Sequence, residues 1–493
     1  MVTKKMLCTA AISGMLFLSF MGCSSGGNKD VKDTTATNLA TSTTDSVFKP
    51  ANMHEQMVYS RAIEAVNWGM PAVNSELLHQ SLVQAKGDYN QLAYWSGLIN
   101  SKNQTLTPNP DVIYFNPMYD TRQGPVVLEI PPVEGVSSIT GSVDDGWQTA
   151  IEDVGPAGVD KGKGGKYLLL PPGYKGQVPA EYIPLPSAVY TGFVILRSNL
   201  TDGSPTDIER AVAYGKKVKI YPYAQAAIPP QTTYIDLLQQ PFSNSIPYDM
   251  HFFETLNDFV QREPWLERDK AMIDPLKTIS IEKGKPFNPD ARTKEILSAA
   301  IKDAHVWIDQ KYQTVFNPPF YEGTSWALPA FPDFTKAIMA NYEVADSYPI
   351  DARGAAYSIA YFSAKHLGAG QYYLMTVKDS NGKSFEGSKL YKLHLPANVP
   401  VKLYWSMTIY DRETHAVIKG MPYFSRASTT PGLQKNSDGS VDVYFGAKAP
   451  DGKQTNWVPT NPQRRFEVLA RFYGPEKGFF DKTWKMGNIE EVK

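Results

Sequence analysis

One stretch near the C-terminal end, residues 401–411, alternates apolar and polar side chains without a break. Its apolar positions are Val401, Leu403, Trp405, Met407 and Ile409. The positions between them are Lys402, Tyr404, Ser406, Thr408 and Tyr410. A period of two is typical of a β-strand with one buried face, so we predict that the apolar set faces a core. Because a single strand cannot cover a tryptophan and a methionine, other strands must pack against it.

Short strand-like segments separated by glycine and proline turns fill two regions of the chain. The first region, 105–225, contains the apolar runs 126–130 and 189–196 and is predicted to form an antiparallel β domain with adjoining helical segments. The second region, 355–493, carries turn dipeptides such as Asp438-Gly439 between its strands. We therefore predict an α+β, β-rich fold with a jelly-roll-like β-sandwich at the C-terminal end.

Two further regions are predicted to be helical. In the lead-in, 51–104, Gly69 and Pro71 are expected to end a first helix before a second one begins. In the region 226–354, Asp290 is the expected N-cap of a helix that precedes a crossover segment. The crossover is rich in aromatic residues, namely Phe320, Tyr321, Trp326, Phe331 and Phe334. We expect them to pack between the β domains and line the main cleft, because pockets favour domain interfaces. The alternative is that they only hold the two domains together.

The N-terminus has the features of an export signal. In residues 1–22, two lysines precede a short apolar run that ends in Gly22. Cys23 follows, as in the bacterial lipoprotein cleavage site, where the cysteine is lipidated and becomes the mature N-terminus. A plain secretion signal with an incidental cysteine is the alternative. Residues 23–50 are rich in Ser, Thr, Asp, Asn and Lys, so we predict a disordered tether.

These features predict a protein of the cell envelope, with a lipid on Cys23 holding it to a membrane on the periplasmic side or the outer surface. The chain has 2 cysteines, and Cys8 would leave with the signal peptide, so the mature protein has no disulfide. The formal net charge is -1, which provides no basic excess for binding nucleic acid. No metal or cofactor motif occurs, so we predict neither a metal site nor a cofactor. The oligomeric state stays open.

Several sequence blocks resemble a bacterial two-domain family. The segment from Asn109 to residue 128, with Tyr114 and Asp120, is similar to domain of unknown function 1254. A second set of blocks is similar to domain of unknown function 1214: 365–372, 404–412, 456–460, 471–475 and Trp484. The resemblance implies an N-terminal β domain with helices and a C-terminal jelly-roll-like sandwich in an envelope or secreted protein. It implies no established reaction, and a fold does not fix a function.

Carboxylates provide the best case for catalysis. Asp144 and Asp145 stand next to Gly146-Trp147, and a glycosidase needs two carboxyl groups, often beside an aromatic platform. The alternative is an Asx turn beside a packed tryptophan. Asp111 could join such a cleft or be an ordinary turn residue. His366 is the remaining catalytic candidate, with a structural loop histidine as its alternative.

A binding role makes fewer demands on the chain. Tyr114 from the first β domain and Tyr410 and Arg412 from the second have the side chains that line sugar sites, and we expect them to face the cleft. Trp405 shares the apolar face of its strand and is assigned to the core. We therefore predict a protein that binds or processes a glycan or a similar polar polymer. The alternatives are a glycan-directed hydrolase that uses carboxylates of the N-terminal β domain and a structural envelope scaffold.

Overall fold

The protein is described by a computed structural model that covers residues 48–361, 364–366 and 370–493. The predicted signal peptide, Cys23 and nearly all of the predicted tether lie outside these residues. The segment Pro50–Lys493 forms one compact unit. Within the described residues, no helix combines the length and the apolar character needed to cross a membrane.

The described residues contain eight α-helices. Their bounds are α1 Met53–Gln84, α2 Pro205–Gly215, α3 Met250–Arg262, α4 Ile273–Lys277, α5 Ala291–Thr314, α6 Pro332–Met339, α7 Ile350–Ile359 and α8 Lys477–Phe480. Three short 3-10 helices span Tyr223–Gln225, Glu267–Met272 and Gln454–Asn456. The side chain of Asp290 accepts a hydrogen bond of 2.7 Å from the Thr293 backbone N–H, which confirms Asp290 as the N-cap of α5.

Helix α1 continues through both residues that were predicted to end it. Gly69 and Pro71 lie in its central part, where every residue from Ala65 to Leu78 is buried. A Cβ atom at position 69 would lie 2.8 Å from Cδ1 of Leu256, so the glycine lets α3 approach closely. The predicted division into two helices is therefore wrong. A proline at this position would end a helix that is exposed to solvent. Contacts with α3, α5 and α7 keep α1 helical across Pro71.

Two sheets form an N-terminal sandwich. Its strands are β1 Gln91–Tyr94, β2 Asn103–Gln104, β3 Ile113–Asp120, β4 Val126–Ile130, β5 Ile139–Asp145, β6 Ala150–Val154, β7 Gly165–Leu170, β8 Tyr182–Pro186, β9 Thr191–Ser198, β10 Lys219–Pro222, β11 Tyr234–Asp236 and β12 Phe242–Ser243. The larger sheet has the order β11-β1-β3-β9-β5-β6, the smaller one has the order β10-β4-β7-β8, and β12 pairs with β2. Side chains such as Phe115, Leu128 and Leu196 fill the core between the two sheets.

A second sandwich follows the helical region. Its strands are β13 Gln371–Thr376, β14 Phe385–Glu386, β15 Tyr391–Leu395, β16 Trp405–Asp411, β17 Ser425–Ala427, β18 Val441–Gly446, β19 Trp457–Pro459, β20 Arg465–Tyr473 and β21 Glu490–Glu491. One sheet has the order β13-β20-β16-β17, with β14 also paired to β20, and the other has the order β19-β18-β15-β21. This arrangement confirms the predicted α+β, β-rich fold with its two β regions.

The alternating stretch at 401–411 is a strand only from Trp405 onward. Trp405, Met407 and Ile409 point into the core of the C-terminal sandwich, as the alternation predicts. The prediction is wrong for Leu403, which is 66% exposed because it precedes the strand. The opposite face of β16 is buried as well, including Tyr410. A second layer of protein therefore covers the face that alternation alone would leave to solvent.

The crossover aromatics pack mainly within the C-terminal sandwich. Tyr321 and Trp326 belong to its core, and Trp326 Nε1 donates a hydrogen bond of 2.9 Å to the Gly487 carbonyl. Phe334 packs against Tyr357, with ring centroids 5.5 Å apart. The expectation that these rings fill the space between the β domains is wrong for Phe320, Tyr321 and Trp326, because the C-terminal sandwich offers them a deeper apolar site.

Candidate ligand-binding cavity

A cavity of about 1000 Å³ lies between the two sandwiches. One wall is the outer face of the larger N-terminal sheet, with Tyr114, Asn116, Thr140, Ser142, Ile195 and Arg197. The opposite wall is the outer face of β13 and β20, with Tyr373, Met375, Leu469, Arg471 and Tyr473. Successive side chains of a strand point to opposite faces. The residues between these, such as Leu196 and Ala470, therefore fill the two cores.

Arg471 is a buried cation in the C-terminal wall, with 2% of its surface exposed. Its Nη1 donates a hydrogen bond of 2.9 Å to Thr408 Oγ1, and its Nη2 donates one of 2.9 Å to the Thr107 carbonyl. Nη2 also donates to the Tyr410 hydroxyl. All these acceptors are uncharged oxygens, and Nε has no hydrogen-bond partner among the described residues. The guanidinium is therefore held in place without a carboxylate in hydrogen-bond contact.

Arg197 is a second buried cation and lies in the opposite wall, on β9. Only 9% of its surface is exposed, and its guanidinium carbon lies 5.7 Å from the centroid of the Tyr114 ring. Its Nε also lacks a hydrogen-bond partner among the described residues. The two domains thus each contribute one buried arginine to the lining of the same cavity.

Two buried carboxyl groups beside these arginines lie outside the cavity lining. Burial raises the pKa of Asp111, and the Ser425 hydroxyl and the charge of Arg471 only partly offset this effect. Burial and repulsion from Asp153 raise the pKa of Asp144 well above its ordinary value, against the opposing pull of Arg197. Asp111 Oδ2 and both carboxyl oxygens of Asp144 have no hydrogen-bond partner among the described residues. Neither guanidinium group therefore donates a hydrogen bond to these oxygens.

Tyrosine hydroxyls link the walls of the cavity. Asn109 Nδ2 donates hydrogen bonds to the hydroxyls of Tyr404 at 3.1 Å and Tyr473 at 2.7 Å. The Tyr373 hydroxyl lies 3.3 Å from that of Tyr473, and the Asn109 backbone N–H donates to the Tyr114 hydroxyl at 2.8 Å. Burial raises the pKa of Tyr473 well above its ordinary value, so its phenol stays neutral. A neutral phenol can donate a hydrogen bond to an anion.

The charges along the described cavity lining are unbalanced. Lys161 and Lys402 are exposed at its edge and add two cations to the buried arginines. Asp153 is the one acidic residue of the described lining, and its oxygens already accept hydrogen bonds from the Ser142 hydroxyl and the His366 backbone N–H. An excess of cations in a partly desolvated cleft attracts anions. Within the described residues, no cluster of three His, Cys, Asp or Glu side chains could hold a metal ion.

The structure brings two of the sequence-predicted site residues, Tyr114 and His366, to the described cavity lining. Tyr410 is fully buried behind the wall, where its hydroxyl donates to the Pro108 carbonyl. Arg412 pairs with Asp309 at 2.6 Å, away from the cavity. Asp111 likewise lies behind the wall and accepts a hydrogen bond of 2.7 Å from the Ser425 hydroxyl. The described lining therefore does not include the C-terminal wall residues that the sequence predicted.

The acidic pair lies at the end of β5, where a turn begins. Asp145 Oδ1 accepts hydrogen bonds from the backbone N–H groups of Trp147 at 2.9 Å and Thr149 at 2.8 Å, which is Asx-turn geometry. Trp147 is buried against Trp68, with ring centroids 4.9 Å apart. Asp144 is completely buried, and both of its carboxyl oxygens lack partners among the described residues. The catalytic role of these residues stays a prediction, whereas the turn alternative describes their geometry.

Comparisons with known families match two parts of the chain. The family described as "Protein of unknown function (DUF1254)" matches residues 89–222, and that described as "Protein of unknown function (DUF1214)" matches residues 370–477. The chain combines a DUF1254 domain with a following DUF1214 domain. This order confirms the resemblance found in the sequence. No curated protein matched the chain.

Solved structures support the fold. The VPA0106 protein from Vibrio parahaemolyticus is 17% identical, with a TM-score of 0.57 over 88% of this chain and 100% of its own. An uncharacterized protein from Burkholderia cenocepacia is 10% identical, with a TM-score of 0.39 over 89% of this chain and 94% of its own. The similarity to the Vibrio protein supports a shared fold and nothing more. The similarity to the Burkholderia protein is too low to support a shared fold.

The DUF1254 and DUF1214 matches supply most of the described cavity lining. Tyr114 and Arg197 lie in the DUF1254 match, and Tyr373, Arg471 and Tyr473 lie in the DUF1214 match. Sequence reasoning missed both arginines. The available signal was an arginine within an apolar strand, as in Val194-Ile195-Leu196-Arg197. Burial of such a residue requires polar partners, which single strands cannot reveal.

Proposed function

We propose that the protein binds a small organic anion in the cavity between its DUF1254 and DUF1214 domains. The observation that carries this proposal is the pair of buried arginines, Arg197 and Arg471, which line one cavity from opposite domains. Burying a charge without a counter-ion costs several kcal/mol, so an anion that pairs with these guanidinium groups would be strongly favoured. The planar guanidinium suits carboxylate and phosphate oxygens in particular.

The neutral hydroxyls around the arginines support the same chemistry. Tyr373 and Tyr473 lie in the lining beside Arg471, and each phenol can donate a hydrogen bond to an oxyanion. The exposed Lys161 and Lys402 would attract anions to the cavity edge before they reach the buried pair. A glycan that carries a carboxylate belongs to this ligand class, so glycan binding stays a prediction. A hydrolase would need two carboxyl groups flanking a bond, and Asp153 is the one acid of the described lining.

We further propose that this binding takes place at the cell envelope. The charged N-terminus, the short apolar run and Gly22-Cys23 support export and lipid attachment. A protein held there by a lipid would encounter anions outside the cytoplasm. The chain has 49 basic and 50 acidic residues, so its net charge is close to zero. Attraction of anions would therefore depend on the local charges of the cavity and not on the charge of the whole protein.

The test uses two fluorescent probes of similar shape. 1-Anilinonaphthalene-8-sulfonate carries an anionic group, and N-phenyl-1-naphthylamine lacks it. We expect the wild-type protein to bind the sulfonate at least tenfold more tightly. Arg197→Gln should remove most of this preference and leave binding of the neutral probe unchanged. Arg197 is the better target because Arg471 also holds backbone carbonyls in place.

Arg426→Gln is the matched control, because Arg426 is buried in the C-terminal domain and lies outside the described cavity lining. It should keep the preference for the sulfonate. Competition by glucuronate and by neutral glucose would then separate acidic from neutral sugars. Equal affinity of wild type and Arg197→Gln for the sulfonate would refute the proposal.

A further inference from the structure

A second cavity adjoins the first. Its volume is about 680 Å³, and apart from Tyr372 its described lining comes from residues 314–340. Leu328, Ala330, Thr335 and Tyr372 line both cavities, so the two share a wall. Met375 of the first cavity and Ala327 of the second exchange backbone hydrogen bonds of 3.0 and 2.8 Å. At this point the two cavities are therefore separated only by the paired backbone segments that contain Ala327 and Met375.

The two cavities differ in chemistry. The first contains the buried arginines and the tyrosine hydroxyls, whereas the second has apolar walls formed by Val315, Pro318, Phe320, Phe331 and Met339. Lys336 is the one charged residue in the described lining of the second cavity, and it is exposed. A ligand that occupied both would place an anionic group in the first and an apolar part in the second.

A row of aromatic rings runs from one cavity to the other. The Tyr372 ring centroid lies 5.5 Å from that of Phe480, which lines the first cavity. It also lies 5.5 Å from that of Phe320, which lines the second. Leu403 and Phe480 on the first cavity and Met339 on the second are large apolar residues that remain exposed, by 66%, 44% and 56%. Apolar surface is thus continuous along this path.

We propose that the ligand is an amphipathic anion, with its acidic group at Arg197 and Arg471 and an alkyl or acyl chain reaching past Leu328 and Tyr372 into the second cavity. This inference rests on the proposed function, because it takes the arginine pair as the site of the anionic group. Together the cavities exceed the roughly 300–1000 Å³ typical of a site for a drug-sized molecule. Burial of each methylene in the second cavity should tighten binding about fourfold.

The test measures the chain-length dependence of affinity. Saturated fatty acids of 6, 8, 10 and 12 carbons compete with 1-anilinonaphthalene-8-sulfonate below their micellar concentrations. For the wild-type protein, affinity should rise roughly fifteenfold for every two carbons. Methyl esters of the same acids, which lack the charge, should bind more weakly at every length. A comparison of dodecyl phosphate with dodecanoate shows whether the site prefers a phosphate or a carboxylate group.

Two variants address the shared wall and the second cavity. Leu328→Trp should obstruct the shared wall, leaving hexanoate affinity within twofold of wild type and flattening the chain-length dependence. Met339→Asp, at an exposed position, should weaken dodecanoate at least tenfold and spare hexanoate. Leu433→Trp is the control, because Leu433 packs on the C-terminal core and lies outside the described lining of both cavities. It should keep the full dependence on chain length.

The outcomes separate this inference from the proposed function. If Arg197→Gln weakens every acid but chain length has no effect in the wild type, the anion site stands and the amphipathic ligand is refuted. An unchanged chain-length dependence in both Leu328→Trp and Met339→Asp would also refute it. If Arg197→Gln alters binding of none of the acids, the proposed function itself fails.

Discussion

Asn109 Nδ2 donates a hydrogen bond of 2.7 Å to the Tyr473 hydroxyl and thereby joins the DUF1254 and DUF1214 domains at the cavity wall. The same amide donates to the Tyr404 hydroxyl at 3.1 Å, and Asn109 Oδ1 accepts from the Asp111 backbone N–H at 3.0 Å. Tyr404 and Tyr473 are stacked, with ring centroids 4.3 Å apart. One asparagine therefore positions two rings of the opposite domain.

Asn109→Ala should lower the free energy of unfolding by about 1–3 kcal/mol, because it leaves buried hydroxyls without their donor. Urea denaturation monitored by tryptophan fluorescence measures this change. Asn381→Ala is the control, since Asn381 is exposed in a turn, and it should stay within about 0.5 kcal/mol of wild type. Equal unfolding midpoints for Asn109→Ala and wild type would mean that this contact does not join the domains.

Trp405→Ala should destabilise the protein by about 3–5 kcal/mol, the usual cost of removing a buried aromatic side chain. Trp405 is 5% exposed in the C-terminal core, whereas Trp307, at 43% exposed, provides a comparison at the surface. We expect Trp307→Ala to have a clearly smaller effect in the same denaturation experiment. Similar losses in the two variants would contradict the assignment of Trp405 to the core.

Sequence alone predicted the features that depend on local pattern. Trp405, Met407 and Ile409 lie in the core because alternation within a strand specifies its faces. The continuity of α1 through Gly69 and Pro71 was missed, because burial by other helices, and not local propensity, holds that segment helical.

The candidate site depends on tertiary packing more than the strand faces do. Tyr114 was expected at the cleft and lines the cavity, whereas Arg197 and Arg471 were overlooked. Each arginine lies on an outer sheet face that becomes buried only when the two sandwiches meet. No pattern within one strand reports which other sheet will cover it.

The Glu76–Arg262 ion pair should make stability depend on pH in acid. Burial favours the neutral form of Glu76, but the His79 hydrogen bond and the Arg262 charge prevail and lower its pKa to about 2 from 4.5. A lowered carboxyl pKa stabilises the fold above the unfolded value, and this contribution disappears as the pH falls through the folded value. It amounts to about 3 kcal/mol above pH 5 and should fall to about half of that near pH 3.

The measurement compares wild type with Glu76→Gln by urea denaturation at pH 6 and at pH 3. The stability difference between them should shrink by about 1–2 kcal/mol at the lower pH. Glu295→Gln, at an exposed ion pair with Arg292, should show little change. A stability difference that is the same at both pH values would contradict the assigned role of Glu76.

Cys23→Ala should release the protein from membranes, because it removes the cysteine that would carry the lipid. Several acyl chains on one residue anchor a protein durably, whereas a single acyl chain binds a membrane only weakly. Fractionation of cells followed by immunoblotting measures the distribution. We expect the wild-type protein in the membrane fraction and the variant in the soluble one. The lipid-anchor proposal would be refuted if mass spectrometry showed that the mature protein begins at a residue other than Cys23 and that its N-terminus is unmodified.

The most direct test of anion recognition in this cavity is a crystal structure of the protein with 1-anilinonaphthalene-8-sulfonate. We expect the sulfonate oxygens to contact the guanidinium group of Arg197 or Arg471, with the ring system directed toward Leu328 and Tyr372. A probe bound in the cavity with its sulfonate turned away from both arginines, or bound only at the outer surface, would contradict the central claim that this cavity recognises an anion.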